Sequence, residues 1–207
     1  MRRGFFYSIL MEMYHIYQTN GWIVGSINVG EANRFLDIFT SELGLVRGMA
    51  QGVRKINSKL RYSLQDYTFG KISLVKGKQF WRIISAEKID DYNSIYEDKN
   101  KFQLMCRIFS LLKRLIKGEE SDPAVFEDVN EAMLLLGHND LSKEAQSALE
   151  IILVFRILQK LGYVGRDVEL DSLADFLDWE TAKLTLDDKI RSSLLKQINN
   201  SLAHSHL

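Results

Sequence analysis

The chain has 207 residues, enough for one large domain or two small ones, and its 27 Lys and Arg balance 27 Asp and Glu. With 46% apolar and 26% charged residues, disorder is excluded as the dominant state, and no window approaches the ~18 uncharged apolar residues of a spanning helix. Cys106 is the only cysteine, which excludes an internal disulfide and a Cys₄ or Cys₂His₂ zinc site and fits a reducing compartment such as the cytoplasm.

Met1 to Leu10 imitates a short secretory signal, but Glu12 and His15 follow at once and no small-x-small cleavage site appears. Residues 1–18 are read as an extension, with Met11 and Met13 as alternative starts. From Trp22 to Ile89 the apolar runs are short, rich in β-branched residues and separated by glycine. Strands are expected over Gly21–Val29, Arg34–Thr40, Leu43–Val53, Tyr67–Val75 and Phe80–Ala86. Asn28-Val29-Gly30, Glu42-Leu43-Gly44 and Lys76-Gly77-Lys78 stand where turns are needed, the last joining a hairpin. Gly30, Gly44 and Gly52 are assigned conformational roles in turns or bulges. Five short strands in about 70 residues fit a small closed barrel, with Phe35, Phe39 and Phe69 in its core and Trp81 either in the core, the simpler reading, or at a stacking platform.

After Asp90 the pattern turns helical. Phe102, Met105, Phe109, Leu112, Leu115 and Ile116 recur at three and four. Asp122-Pro123 opens a helix that Gly137 closes; Ser142 opens another, which Gly162 stops. Asp171 caps a short helix through Phe176, and Thr185 opens the last. The fold class expected is α+β: a five-stranded barrel over residues 19–90, then an α-helical bundle over 91–207.

Zero net charge hides a division. Residues 1–82 carry 12 Lys and Arg against 5 Asp and Glu, while residues 83–207 carry 15 against 22. Within 43–82, Arg47, Arg54, Lys55, Lys59, Arg61, Lys71, Lys76, Lys78 and Arg82 face Asp66 alone. Four of these cations lie on one connection, Arg54 to Asp66. Such asymmetry points to a polyanion, against the plainer reading of a soluble cationic surface.

Signatures of catalysis are missing. There is no phosphate-binding Gly-x-x-x-x-Gly-Lys-Ser/Thr loop and no nucleophile elbow. The four histidines are scattered, and Cys106 is read as a buried, inert thiol. Asp90-Asp91 and Asp187-Asp188 are adjacent pairs that do not share a helix face. Glu31 is read as closing a turn. No catalytic residue, metal or cofactor is assigned. A basic barrel can instead hold a strand by cations for phosphate and rings for bases. Tyr62, among Arg54, Lys55, Lys59 and Arg61, is the ring placed at a groove.

The motifs then become specific. Gly30-Glu31-Ala32-Asn33-Arg34, Phe39-Thr40-Ser41-Glu42-Leu43-Gly44 and Ala50-Gln51-Gly52-Val53-Arg54-Lys55-Ile56-Asn57-Ser58 follow in order. Phe155 to Tyr163 supplies a Leu-Gly-Tyr segment. The set resembles the bacterial recombination mediator family RecO over about residues 20–165. The resemblance implies an oligonucleotide-binding (OB) barrel and a helical domain. It implies DNA repair and recombination through binding of single-stranded and also duplex DNA. Annealing of complementary strands follows from it, as does help in loading recombinase onto strands coated by single-strand-binding protein. The implied partners are that protein's acidic tail and RecR, in the cytoplasm at the nucleoid, with no membrane. Many members carry a four-cysteine zinc knuckle after Leu-Gly-Tyr; Arg166 to Leu184 has none, so zinc is not carried over. Arg54, Lys55 and Ser58 match the family motif as backbone contacts, and Arg34 follows its Gly-Glu turn. Charge and loop placement add Arg47, Lys59, Arg61, Tyr62, Lys71 and Lys78. The rival readings are an adaptor whose barrel docks an acidic protein and a metal-dependent nuclease or hydrolase.

Overall fold

A computed structural model describes residues 15–89, 92–120, 122–138, 140–164 and 186–204. Five strands form the first half: β1 Ile16–Val29, β2 Asn33–Thr40, β3 Gly44–Ala50, β4 Phe69–Lys76 and β5 Trp81–Lys88. They close into a barrel in the order β1-β2-β3-β5-β4. Closure depends on β1, whose first half pairs with β4 (Ile16 with Val75) and whose second half pairs with β2 (Val29 with Asn33). A register shift between Ile23 and Gly25 marks a bulge, which lets one strand bend between two partners. β3 and β5 pair in parallel through Gly48 with Trp81 and Met49 with Arg82. Period-two alternation aims Leu36, Ile38, Ile72, Leu74 and Ile83 inward, all buried.

The β4–β5 turn shows a requirement that sequence spacing only hints at. The Gly77 amide donates to the Phe80 carbonyl at 3.1 Å. A Cβ at Gly77 would stand 2.5 Å from that same carbonyl oxygen, so the turn has no room for a side chain. Gly30, Gly44 and Gly52 all adopt positive φ, as their assignment to turns expects.

Helices follow: α1 Leu60–Ser63, α2 Asn93–Glu97, α3 Lys99–Leu115, α4 Pro123–His138, α5 Lys143–Lys160 and α6 Asp188–His204. Asp98 caps α3 by accepting from Asn100 (2.7 Å) and Lys101 (3.2 Å), and Asp122 caps α4 by accepting from Val125 (3.1 Å). Ser142 caps α5 through Ala145 at 3.2 Å, and Gly162, at φ +76°, ends it. Leu104, Met105 and Phe109 of α3, Val129 and Met133 of α4, Leu149, Ile152 and Phe155 of α5, and Leu194 of α6 are buried. Between α4 and α5, Asp128 receives Lys160 at 2.6 Å and Arg156 at 3.4 Å.

The described residues form two compact units: the chain through Thr40 with Val46–Ile89, and Ser41–Leu45 with the chain after Asp90. Several expectations need correction. β1 begins at Ile16, inside the segment read as an extension, because its first residues have β4 to pair with. β3 ends at Ala50, and Gln51–Val53 form a turn, since Gly52 leaves the extended region. Gly137 does not close α4, which runs on to His138; its buried carbonyl accepts from Ser94 Oγ. α6 starts at Asp188, with Asp187 accepting from Lys189 at 3.3 Å. Thr185 and the Asp171 helix lie outside the described residues. Phe39 and Phe69 are buried as expected, but Phe35 is only half-buried, and so is the Cys106 thiol.

Candidate nucleic-acid interface

The site begins with a left-handed glycine. At Gly52 (φ +65°) the chain leaves β3, and the Gly52 amide donates to Asn33 Oδ1 at 2.8 Å. Two residues on, the Arg54 amide donates to Ala32 O at 3.0 Å, so the β3–β4 connection lies against the β1–β2 turn. Arg54 Nη1 then donates to Gly30 O at 3.0 Å. The spacing Gly-x-Arg is thus the reach from a left-handed turn to the neighbouring turn's carbonyl.

Arg34 ties the other end of the connection. Its guanidinium donates to Ser26 Oγ, to Leu64 O at 3.2 Å and to Asp66 Oδ1 at 3.0 Å, and its side chain is 20% exposed. The Leu64 side chain is fully buried, so α1 is anchored at its carboxyl end and carries Arg61 and Tyr62 outward, Tyr62 at 75% exposure. Asn28, Arg34, Val53, Arg54, Arg61, Gln65 and Asp66 line a cleft of about 470 Å³. Lys55 and Lys59 are exposed on the same connection, and Ser58 is half-buried, its amide donating to Lys55 O at 3.0 Å.

A second group of cations stands at the β4–β5 turn. Lys76, Lys78, Phe80 and Arg82 line a hollow of about 550 Å³ with Val75, Gly77 and Gln79. Lys76 Nζ lies 5.2 Å from the centre of the Trp81 ring, which is buried and meets Tyr17 edge to face at 5.1 Å. Trp81 is therefore core, as its simpler reading has it.

The remaining cations behave differently. Arg47 Nε donates to Asp37 Oδ1 at 2.8 Å, and this hydrogen bond, with the carboxylate's charge, raises the guanidinium's affinity for its proton. Its charge is locally cancelled. Lys71 is exposed on β4 opposite Glu87 on β5 and Asn20 on β1, apart from both hollows. The cations thus gather at two hollows beside the β1–β2 and β4–β5 turns. Phe80 and Arg82, now seen at the second hollow, were absent from the contacts expected of the sequence; hairpin register was the signal that could have placed them. Among the described residues no cluster of three His, Cys, Asp or Glu could hold a metal ion, and no helix is long and apolar enough to cross a membrane.

A five-stranded closed barrel in this strand order, with its charged hollows beside the turns after β1 and β4, is an OB-fold. Residues 11–92 match the family model described as recombination protein O N terminal, which spans the whole barrel. DNA repair protein RecO of Gloeothece citriformis is 30% identical over 119 residues, 58% of this chain and 42% of the relative. Those of Dehalococcoides mccartyi and Heliobacterium modesticaldum are each 28% identical, over 67% and 72% of this chain and 53% and 52% of their own lengths. Over its barrel the chain matches the amino-terminal domain of the RecO family. It spans about half the length of the curated relatives it matches.

Proposed function

We propose that this chain acts in DNA repair and recombination as a non-enzymatic mediator in the cytoplasm. It binds single-stranded DNA and also duplex, anneals complementary strands and assists recombinase loading on strands coated by single-strand-binding protein. The observation that carries this reading is the pair of cationic hollows flanking one face of the barrel. OB-folds take oligonucleotides on the β2–β3 face between these same two turns. The mechanism is electrostatic: cations offset phosphate repulsion so that two strands approach and pair. Arg54, Lys55, Ser58, Lys59, Arg61, Tyr62 and Lys78 are the proposed contacts. Arg34 positions them, and Arg47 and Lys71 contribute less because acids oppose them. The helical unit is the proposed dock for the single-strand-binding protein's tail and for RecR.

If about six phosphates are neutralised, log affinity for a single strand falls against log salt with a slope of about −4. Arg54→Glu with Lys55→Glu weakens binding more than tenfold. A flat salt response, or no annealing of complementary oligonucleotides with or without single-strand-binding protein, refutes the proposal.

A further inference from the structure

The two cationic hollows are joined by a pair of half-buried rings. Phe35 on β2 and Phe80 at the head of β5 meet edge to face, centroids 5.2 Å apart, and both are half-buried. Phe35 directly follows Arg34, which lines the first hollow; Phe80 itself lines the second. The direction of the rings follows from alternation. Leu36 is fully buried and therefore points inward, so Phe35 points out. Gly48 also points inward, where an added Cβ would stand 3.0 Å from Ile83, so Met49 points out beside β5. Ile27 on β1 pairs with Phe35 and is 57% exposed. The Asp37–Arg47 pair lies on the same outer side of β2 and β3.

Burial by neighbouring core does not account for this set. An apolar stripe on an outer barrel face costs solubility unless something covers it, and cations at both ends favour an anionic occupant. A polymer that alternates flat apolar rings with phosphates fits both features. Duplex DNA hides its base faces inside the stack, so it can use only the cations.

We infer that Phe35 and Phe80, flanked by Ile27 and Met49, form a stacking platform for unpaired bases and make the barrel prefer single strands to duplex. This rests on the nucleic-acid reading above. Stacking leaves the hydrogen-bonding edges of the bases outward, so a held strand can still meet its complement. Ring-to-base stacking tolerates any sequence, because every base has two flat faces.

The test uses the full chain with the paired change Phe35→Leu and Phe80→Leu, which keeps both positions apolar but removes the flat rings. Binding is measured by anisotropy to an oligo-dT strand, to a hairpin duplex and to an abasic strand of the same phosphate count. Single-strand affinity is expected to fall about tenfold, since one stacked base lost is worth roughly that much. Duplex and abasic affinities stay unchanged, and the protein remains folded with its melting lowered by only about 5–10 °C for the lost ring pair. Phe80→Trp retains single-strand affinity and adds, to the emission of Trp22, Trp81 and Trp179 in the parent, an indole signal that oligo-dT quenches and duplex does not. Equal losses on all three ligands, no loss on oligo-dT, or quenching by duplex overturns the platform. Should the unaltered protein bind none of the three, the nucleic-acid reading itself fails instead.

Discussion

Arg34→Ala separates a positioning cation from a contacting one. The guanidinium makes three hydrogen bonds that hold the β3–β4 connection to the barrel. Those to Ser26 and Leu64 have neutral partners, at about 1 kcal/mol each. The Asp66 pair is partly exposed, Asp66 at 38%, so screening limits it to about 0.5–1 kcal/mol. Arg34 Nε is buried without a partner, which offsets about 1 kcal/mol. The net loss is about 2 kcal/mol, or about 8–16 °C in the melting of a barrel-sized unit. Arg54→Ala removes one exposed bond to Gly30 O and costs under about 1 kcal/mol, yet it takes away a phosphate partner. Denaturant midpoints and salt titrations of single-strand affinity are measured for both variants. Arg34→Ala lowers the midpoint strongly and leaves the salt slope nearly unchanged under native conditions. Arg54→Ala barely moves the midpoint and flattens the slope by about 0.7, the share of one phosphate on a single strand. If Arg34→Ala melts like the parent and flattens the slope as Arg54→Ala does, Arg34 is itself a phosphate contact and its three bonds do not hold the connection.

Asp37→Asn leaves the hydrogen bond to Arg47 geometrically possible but removes the opposing charge, so single-strand binding tightens and its salt slope steepens by about 0.7; an unchanged slope places Arg47 off the path of the strand. At the start of α5, Glu144 is held below the usual carboxylate range, first by its backbone hydrogen bond and next by the Ser142 hydroxyl. Its folded pKa is depressed, so the contribution to helix stability is present above the ordinary carboxylate pKa and lost as pH falls through the lower folded value. Ser142→Ala raises the Glu144 midpoint in a carboxyl NMR titration and weakens α5 by about 1 kcal/mol through the lost cap; an unmoved midpoint shows that Ser142 does not act on Glu144.

Much of the barrel was legible because its signals are local. Alternation at Arg34–Thr40, glycines at turns, and a Lys-Gly-Lys hairpin all act within a few residues. The Asp122 and Ser142 caps and the Gly162 stop are equally local. The first part of β1 was not legible. Its His15 to Thr19 stretch has no hydrophobic alternation, and only pairing with β4, some 55 residues later, makes it a strand. Gly137 misled for a related reason: tertiary contact with Ser94 carries the helix past it. At the site, charge count pointed to the β3–β4 connection, which lines one of the two hollows, but counting cannot see opposing acids. Arg34 and Arg47 are bound to Asp66 and Asp37, which lie 32 and 10 residues away in sequence. Phe35 read as core because aromatic residues on strands usually are; the register that turns it outward is a property of the closed barrel.

The pairing of some cations with acids bears on the proposed activity. Annealing needs a grip strong enough to offset phosphate repulsion and weak enough to release the product. A face on which every cation pointed at phosphate would bind duplex as firmly as single strands, because duplex carries more charge per length. Here Asp37 cancels Arg47 at the middle of the outer face, while Arg54, Arg61, Lys78 and Arg82 are concentrated at the turns. The middle is then left to Phe35 and Phe80, which stacking favours only while bases are unpaired. Pairing removes those base faces from the platform and leaves the duplex with the weaker, purely ionic hold. On this account the rings supply the difference between substrate and product, and charge supplies what the two share. Raising salt should therefore weaken both states together, whereas removing the rings should slow annealing while leaving product release unchanged.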